Sequence, residues 1–363
     1  MKKIIALALA AAMVFALAAC AAPAAAPAAA PAAEAPAAKE EAAAPAAAEK
    51  FHGAMVTDTG GVNDQGFNQG SWEGLQRCQD EGWAEVKYLE SKQEADYTTN
   101  LEQLSDEDQD IIWGIGYMMA DAMLTAAQTN PDKLYAIIDN NYGDIPKNMI
   151  CAVFQSQDCS FEMGYIAGKM TKTDNVGVVG GVKGDIIDAF EFGYRAGVAY
   201  AAKELGKDIE VQVQYCDSFT DAAKGKAIAT QMYQNGADIV FQAAGGCGVG
   251  VIEAAKEQNK YAIGADSDQN YLAPDNVITS AMKDCGAAIH DICARLNSGE
   301  ELGGQLYVGT LANGAVGYAP TTSKLVPADI IADTDKVAQL LGDGTIVAPK
   351  NEEEFNTYIE SLK

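Results

Sequence analysis

Beyond residue 50, short apolar runs rich in β-branched residues alternate with longer amphipathic segments, at intervals of about 25–35 residues. The runs are typical of buried strands, and the amphipathic segments are typical of helices. One helix is predicted over 188–205, where Phe192, Ala196 and Ala199 recur at helical spacing before Gly206. The predicted strands are residues 54–57, 86–89, 111–115, 134–139, 151–154, 176–179, 210–215, 238–242 and 261–264.

Continuous apolar strands separated by helices indicate parallel sheets that are covered on both faces. The number of predicted strands is too large for one small doubly wound sheet. We therefore expect two Rossmann-like lobes in this chain of 363 residues. Polar or flexible residues follow several strands, among them Asp58, residues 116–121, Gly245 and Asp266. Because ligands on open α/β sheets bind at the carboxyl ends of strands, we expect these residues to meet in one cleft.

The N-terminus has the pattern of an export signal, predicted here as residues 1–19. Lys2 and Lys3 precede an unbroken apolar run over residues 4–17, which is short for a membrane span. The run ends in Leu-Ala-Ala-Cys, which resembles the bacterial lipobox, with Cys20 as the lipidated first residue of the mature protein. The alternative is an ordinary secretory signal in which the cysteine is incidental.

Residues 20–50 are predicted to be a tether between the lipid and the folded body. Nineteen alanines and five prolines occur in residues 21–50. The regularly placed prolines remove backbone donors and stop a helix from propagating. We therefore expect a protein anchored by lipid on the extracytoplasmic face of the cell membrane.

Charge and composition exclude several function classes. The chain is 48% hydrophobic and carries a formal net charge of −26, which suits a globular body and disfavours nucleic-acid binding. His52 and His290 are the only histidines, and no C-x-x-C pair occurs. Walker A, G-x-S-x-G and H-E-x-x-H motifs are absent, and the glycines at 245–250 lack dinucleotide-loop spacing. We therefore expect no catalytic residues, no metal and no cofactor.

Seven cysteines follow Cys20, and their state is left open by the sequence. Small buried apolar residues are the favoured interpretation, with a metal site or disulfides as the alternatives. They are Cys78, Cys151, Cys159, Cys216, Cys247, Cys285 and Cys293.

One segment points to a known family. Residues 55–69 read Met-Val-Thr-Asp-Thr-Gly-Gly-Val-Asn-Asp-Gln-Gly-Phe-Asn-Gln. This run closely resembles the motif of the basic membrane protein family, the purine-nucleoside-binding lipoproteins of ABC importers. Further matches follow in order at residues 114–121, 160–168, 189–197, 244–246, 263–269 and 279–283. The sequence departs from the family pattern at Gly66, Cys247 and Asp284, where serine, threonine or serine, and a basic residue are usual.

The resemblance implies a type I periplasmic-binding-protein fold, with two doubly wound lobes joined by a three-segment hinge. On this basis the N-terminal lobe is expected to comprise residues 51–154 and 283–315. The C-terminal lobe is expected to comprise residues 155–282 and 316–363.

The resemblance also implies an aromatic clamp around a purine base. Phe67 matches the stacking position of the N-terminal lobe and Phe190 its partner, although Phe192 is close enough in sequence to be an alternative to Phe190. A purine has two flat π faces, so one aromatic ring from each lobe can hold it.

Polar residues complete the expected site. Carboxylates accept from ribose hydroxyls or a base N–H, lysine donates, asparagine does both, and a glycine turn offers backbone N–H groups. The expected polar ligands are Asp58, Asn68, Asp121, Gly245, Asp266 and Lys283.

The sequence thus predicts a receptor that binds guanosine, inosine or adenosine and delivers it to the permease of an ABC importer. A receptor of the same fold for a pentose, hexose or signalling sugar is the main alternative. A lipoprotein whose main partner is a host or sensor protein is a third possibility, and an enzyme is a fourth.

Overall fold

The computed structural model describes residues 49–363. The predicted signal peptide, Cys20 and nearly all of the tether lie outside the described residues. The strands are β1 (Phe51–Thr57), β2 (Ala84–Leu89), β3 (Ile111–Ile115), β4 (Tyr135–Ile138), β5 (Met149–Phe154), β6 (Asn175–Gly180), β7 (Glu210–Tyr215), β8 (Ile239–Ala243), β9 (Tyr261–Asp266), β10 (Val277–Lys283), β11 (Leu306–Gly309) and β12 (Val316–Tyr318).

Helices connect most of these strands. They are α1 (Phe67–Asp80), α2 (Asp96–Ser105), α3 (Ala120–Thr129), α4 (Ser156–Met170), α5 (Asp185–Leu205), α6 (Ala222–Gln234), α7 (Gly246–Gln258), α8 (Cys285–Asn297), α9 (Ala328–Gly342) and α10 (Glu352–Leu362). Short 3₁₀ turns lie at Tyr117–Met119, Gln269–Leu272 and Pro320–Lys324. Helix α5 ends as predicted, because Gly206 follows it in the left-handed conformation.

The strands form two six-stranded sheets with the same internal order. The first sheet is ordered β11-β5-β4-β3-β1-β2, and all of its pairs are parallel. The second is ordered β12-β10-β9-β8-β6-β7 and is parallel except where β12 runs antiparallel to β10. Helices cover both, so the fold is the expected pair of doubly wound α/β units, and we call each sheet with its helices a lobe.

The chain passes from one sheet to the other three times between residues 49 and 363. The crossings lie after β5, after β10 and between β11 and β12. Helix α8 packs on α1 of the first lobe, whereas α9 and α10 pack on α4 and α5 of the second. Because both lobes are built from several separated stretches of chain, residues distant in sequence become neighbours at their junction.

All nine predicted strands coincide with observed ones, but three observed strands were missed. Strands β11 and β12 are short edge strands, and Leu306 in β11 is 41% exposed, so neither has a strong apolar pattern. Strand β10 is buried but contains Thr279 and Ser280. The Thr279 hydroxyl bonds to the Thr322 hydroxyl at 2.7 Å, so its burial depends on a partner distant in sequence.

Close helix packing in the second lobe explains one glycine in each of two matched segments, 160–168 and 189–197. Helices α4 and α5 cross so closely that a methyl group at Gly164 would overlap the Tyr194 carbonyl oxygen. A methyl group at Gly197 would overlap the Phe161 carbonyl oxygen in the same way. These glycines therefore fix the approach of the helix that carries Phe190 to the cleft.

No helix within residues 49–363 is both long enough and apolar enough to span a bilayer.

Candidate functional site between the lobes

A cavity lies where the carboxyl ends of the two sheets face each other. In each sheet the strand order reverses direction between the first and third strands, β1 and β3 or β6 and β8. Crevices at such switch points are the usual ligand sites of open α/β sheets. The first lobe contributes Asp58, Gly60, Asp64, Phe67, Asn68, Gly116, Tyr117 and Asp139. The second contributes Ile186, Ile187, Phe190, Phe219, Ala243, Gly245, Ala265 and Asp266, and Lys283 comes from the end of β10.

The cavity is narrow in this conformation. Its volume is about 50 Å³, whereas sites for small organic ligands are typically about 300–1,000 Å³. A ligand of that size does not fit this conformation, so binding requires the cavity to widen.

Seven of the eight predicted ligand-binding residues line this cavity, and Asp121 does not. Gly116, at φ 108°, turns the chain after β3, and Tyr117 rather than Asp121 reaches the cavity. Asp121 comes one helical turn later, exposed in the first turn of α3. A carboxylate in the first turn is stabilised by the positive end of the helix dipole, and this role of Asp121 requires no ligand.

Asp58, Asn68 and Asp64 form one hydrogen-bonded group at the start of α1. Asp58 Oδ1 accepts from the Gly60 backbone N–H at 2.8 Å and from Asn68 Nδ2 at 2.8 Å. Asp64 accepts from the backbone N–H groups of Gly66 (3.0 Å) and Asn68 (2.8 Å) and from Asn68 Nδ2 (3.0 Å). Asp64 thus caps the helix and orients Asn68, and the buried Asn68 Oδ1 has no partner among the described residues.

A buried ion pair fixes Lys283 in the cavity wall. Its Nζ lies 2.6 Å from Asp139 Oδ2 and 3.6 Å from Asp266 Oδ1, and the Lys283 and Asp139 side chains are 3% and 4% exposed. Burial by itself lowers the pKa of Lys283, but Asp139 and Asp266 outweigh that effect and hold the pKa above its ordinary value. Lys283 is therefore a charged donor whose position is set by two strand ends of different lobes.

Burial raises the pKa of two cavity carboxyls. Desolvation raises the pKa of Asp58 to about 6, against the lowering effect of its bonds to Gly60 and Asn68. Desolvation also raises the pKa of Asp266 to about 6, although Lys283 opposes the rise. Each carboxyl can therefore change its charge near neutral pH, and a donor from a ligand would stabilise the ionised form.

The two predicted stacking rings, Phe67 and Phe190, come from different lobes. Phe67 is the first residue of α1, Phe190 lies near the start of α5, and Lys283 Nζ is 4.5 Å and 5.6 Å from their ring centroids. Phe192 points away from the cavity and packs against Phe355, with centroids 5.7 Å apart. Of the two alternatives, Phe190 is therefore the residue at the cavity.

Gly245 lines the cavity at the turn between β8 and α7, with φ 54°, a conformation that suits glycine. The departures at Cys247 and Asp284 do not reach the cavity lining. Cys247 Sγ donates to the Ser218 carbonyl at 3.0 Å, and Asp284 caps α8 by accepting from Ala287 N–H at 2.7 Å. All seven described cysteines are buried, and none of them forms a disulfide in this structure.

Several lining residues were not predicted from the sequence. Asp139 directly follows β4, and this position at the end of a predicted strand was the available signal. Tyr117 was inside a matched motif, and its hydroxyl is buried without a partner among the described residues. Ile186 and Ile187 lie in the first turn of α5, and Phe219 lies in the loop between β7 and α6. Apolar residues at such positions are common, so the sequence contained no specific signal for them.

The cavity combines apolar walls with an acidic lining. Four aspartates face it against one lysine, and that lysine is already paired with Asp139. Such a lining suits a neutral ligand that has a flat apolar part and several hydrogen-bond donors.

The chain is similar to substrate-binding proteins of ABC transporters. A family model described as ABC transporter substrate-binding protein PnrA-like matches residues 51–352. Basic membrane protein A of Borreliella burgdorferi is 39% identical over 314 residues, which cover 85% of this chain and 91% of that protein. The ABC transporter nucleoside-binding protein BmpA of Lactococcus lactis is 38% identical over 319 residues, covering 82% and 88% of the two chains.

The fold has close structural counterparts. A solute-binding protein of an ABC transporter system from Aeropyrum pernix superposes with a TM-score of 0.78 at 23% identity, covering 86% of this chain and 97% of the other. At that identity the likeness concerns the fold, whereas the family follows from the match over residues 51–352 and the sequence relatives. The chain belongs to the basic membrane protein family of extracytoplasmic ABC transporter substrate-binding proteins.

Proposed function

We propose that this substrate-binding protein captures purine nucleosides between its lobes and passes them to the permease of an ABC importer. The observation that carries the proposal is the composition of the cavity, with Phe67 from the first lobe and Phe190 from the second beside carboxylates that retain free acceptor capacity. Phe67 and Phe190 would stack on the base, and Asp58, Asp266 and Asn68 would bond the ribose hydroxyls and base edge.

The apolar walls favour a nucleoside over a free sugar. Ile186, Ile187 and Phe219 lie on the second-lobe side of the cavity. A hexose has hydroxyls around its whole ring, and those facing such walls would lose their bonds to water without replacement. A nucleoside has an apolar base face for these walls and a hydroxylated ribose for the carboxylates.

The acidic lining favours nucleosides over nucleotides. The only lysine in the lining is paired with Asp139 at 2.6 Å, so the described residues offer a phosphate no unpaired cation there. The net charge of −26 acts in the same direction. We expect nucleoside monophosphates to bind at least about tenfold more weakly than nucleosides.

Calorimetric titration of the full chain tests the proposal. Guanosine, inosine and adenosine should bind, and ribose and galactose should give little heat at equal concentration. Guanosine monophosphate serves as the charged control with the same base. Tight binding of a sugar without nucleoside binding would overturn the proposal, and equal affinity for guanosine and its monophosphate would overturn the electrostatic argument.

We further propose that lipidated Cys20 holds the protein at the extracytoplasmic face of the membrane. The Leu-Ala-Ala-Cys motif at 17–20 and the Ala/Pro-rich stretch after it support this attachment. It would keep the receptor near its permease.

A further inference from the structure

Gln65 of the first lobe is held by three residues of the second. Its carbonyl oxygen accepts from Ser267 Oγ at 3.2 Å and from Gln269 Nε2 at 2.9 Å. Its side-chain Oε1 accepts from the Tyr271 hydroxyl at 2.8 Å. These bonds join segments more than 200 residues apart in sequence and bridge the two lobes beside the cavity.

The second-lobe partner Gln269 is itself fixed. It is 1% exposed, and its Oε1 accepts from Gln242 Nε2 at 2.7 Å and from the Ala265 backbone N–H at 3.2 Å. Its backbone N–H donates to Ser280 Oγ at 3.1 Å. Gln269 is therefore held by the second lobe through three hydrogen bonds, while its Nε2 donates to the loop of the first lobe.

Gln65 connects the contact between the lobes to the residues that line the cavity. It immediately precedes Gly66 and α1, whose first two residues, Phe67 and Asn68, line the cavity. Its φ of 61° is in the left-handed region, which is strained for a residue other than glycine. Gln65 does not line the cavity, so it needs no ligand contact to act.

We propose that Gln65 is a closure latch, a positioning residue whose bonds to Ser267, Gln269 and Tyr271 hold the lobes together around the ligand. The bonds form only when the lobes approach, so they stabilise the closed state relative to the open one. The latch slows ligand release and also keeps part of the ligand-free population closed, at most about half of it, so the rate of capture by the open form changes less than about twofold. This proposal rests on the proposed nucleoside function for its ligand assay.

A double-mutant cycle on the full chain tests the latch by stopped-flow release of guanosine. Tyr271→Phe and Gln65→Ala each remove the same side-chain bond and should each raise the dissociation rate constant about 2- to 10-fold. The association rate constant should change less than about twofold. Because the two changes share one bond, the double variant should release guanosine no faster than the faster single variant.

Tyr88→Phe is the matched control. Tyr88 is 37% exposed, compared with 54% for Tyr271, and its hydroxyl has no hydrogen-bond partner in the described part of the chain. This variant should release guanosine at the wild-type rate. Wild-type release from Tyr271→Phe, or fully multiplicative effects in the double variant, would overturn the latch.

X-ray scattering without ligand separates the latch from the proposed function. Ser267→Ala combined with Tyr271→Phe removes two of the three bonds and should give a larger radius of gyration than wild type. An unchanged radius of gyration would refute the latch whatever the ligand is. Absence of guanosine binding by the wild-type protein, together with this expansion, would refute the nucleoside and leave the latch in place.

Discussion

We expect breaking the buried ion pair between Lys283 and Asp139 to lower the free energy of unfolding strongly. Lys283→Met keeps most of the side-chain volume but leaves Asp139, 4% exposed, without the ammonium that lies 2.6 Å away. Asp139 makes no other side-chain hydrogen bond in the described structure. Removing one partner of a buried ion pair costs about 3–5 kcal/mol, because the remaining charge is left desolvated.

The opposite substitution should cost less. In Asp139→Asn, Lys283 keeps Asp266 at 3.6 Å as a counter-charge, and the amide oxygen can still accept from the ammonium. We expect a loss of about 1.5–3 kcal/mol, the usual contribution of a hydrogen bond to a charged group. Combining Lys283→Met with Asp139→Leu removes both charges, and this double variant should be more stable than Lys283→Met alone.

Urea unfolding followed by tryptophan fluorescence measures these differences. Lys92→Met is the control, since Lys92 Nζ lies 2.7 Å from Glu90 but its side chain is 75% exposed. A surface pair of this kind contributes about 0–1 kcal/mol. If Lys283→Met unfolds at the same urea concentration as Lys92→Met, or the double variant is no better than Lys283→Met, the account of a structural ion pair is wrong.

Three other predictions concern the clamp, the acidic site and the anchor. Phe67→Ala should weaken the binding of all purine nucleosides about 5- to 150-fold, with little change in their order of affinity, since every base has a π face. Wild-type affinity of this variant in calorimetry would contradict the aromatic clamp. Burial raises the pKa of Asp58 to about 6, so the native state binds this proton more tightly and the contribution of Asp58 to stability falls as the pH rises from about 4 to 6. Asp58→Asn should remove that slope and, above pH 6, be up to about 3 kcal/mol more stable without ligand; thermal melts whose difference from wild type is the same at pH 4 and pH 8 would contradict this. Cys20→Ala should abolish membrane retention in cell fractionation, and retention equal to wild type would contradict lipidation.

Local pattern was sufficient to predict the alternating strands and helices and most of the site. A buried parallel strand needs a continuous apolar run, and a covering helix needs an apolar stripe with a period of 3.6 residues. Both patterns can be recognised from residues that are close together in the sequence. Residues that follow such strands, including Asp58, Gly245 and Asp266, must lie at one edge of a sheet and were predicted for that reason. The family motif added Phe67 and Lys283, which periodicity alone would not distinguish from core or surface residues.

Tertiary structure decided the contacts that depend on distant partners. Asp139 and Lys283 are 144 residues apart, and their pairing needs the hinge crossings to bring the ends of β4 and β10 together. The 3₁₀ turn after β3 brings Tyr117 to the cavity and leaves Asp121 in solvent, a difference of one turn that sequence spacing does not resolve. Local sequence fixes which residues lie at the strand ends, because periodicity is a property of neighbours. Which of those residues meet depends on how the two lobes close, because that is set by packing between segments far apart in the chain.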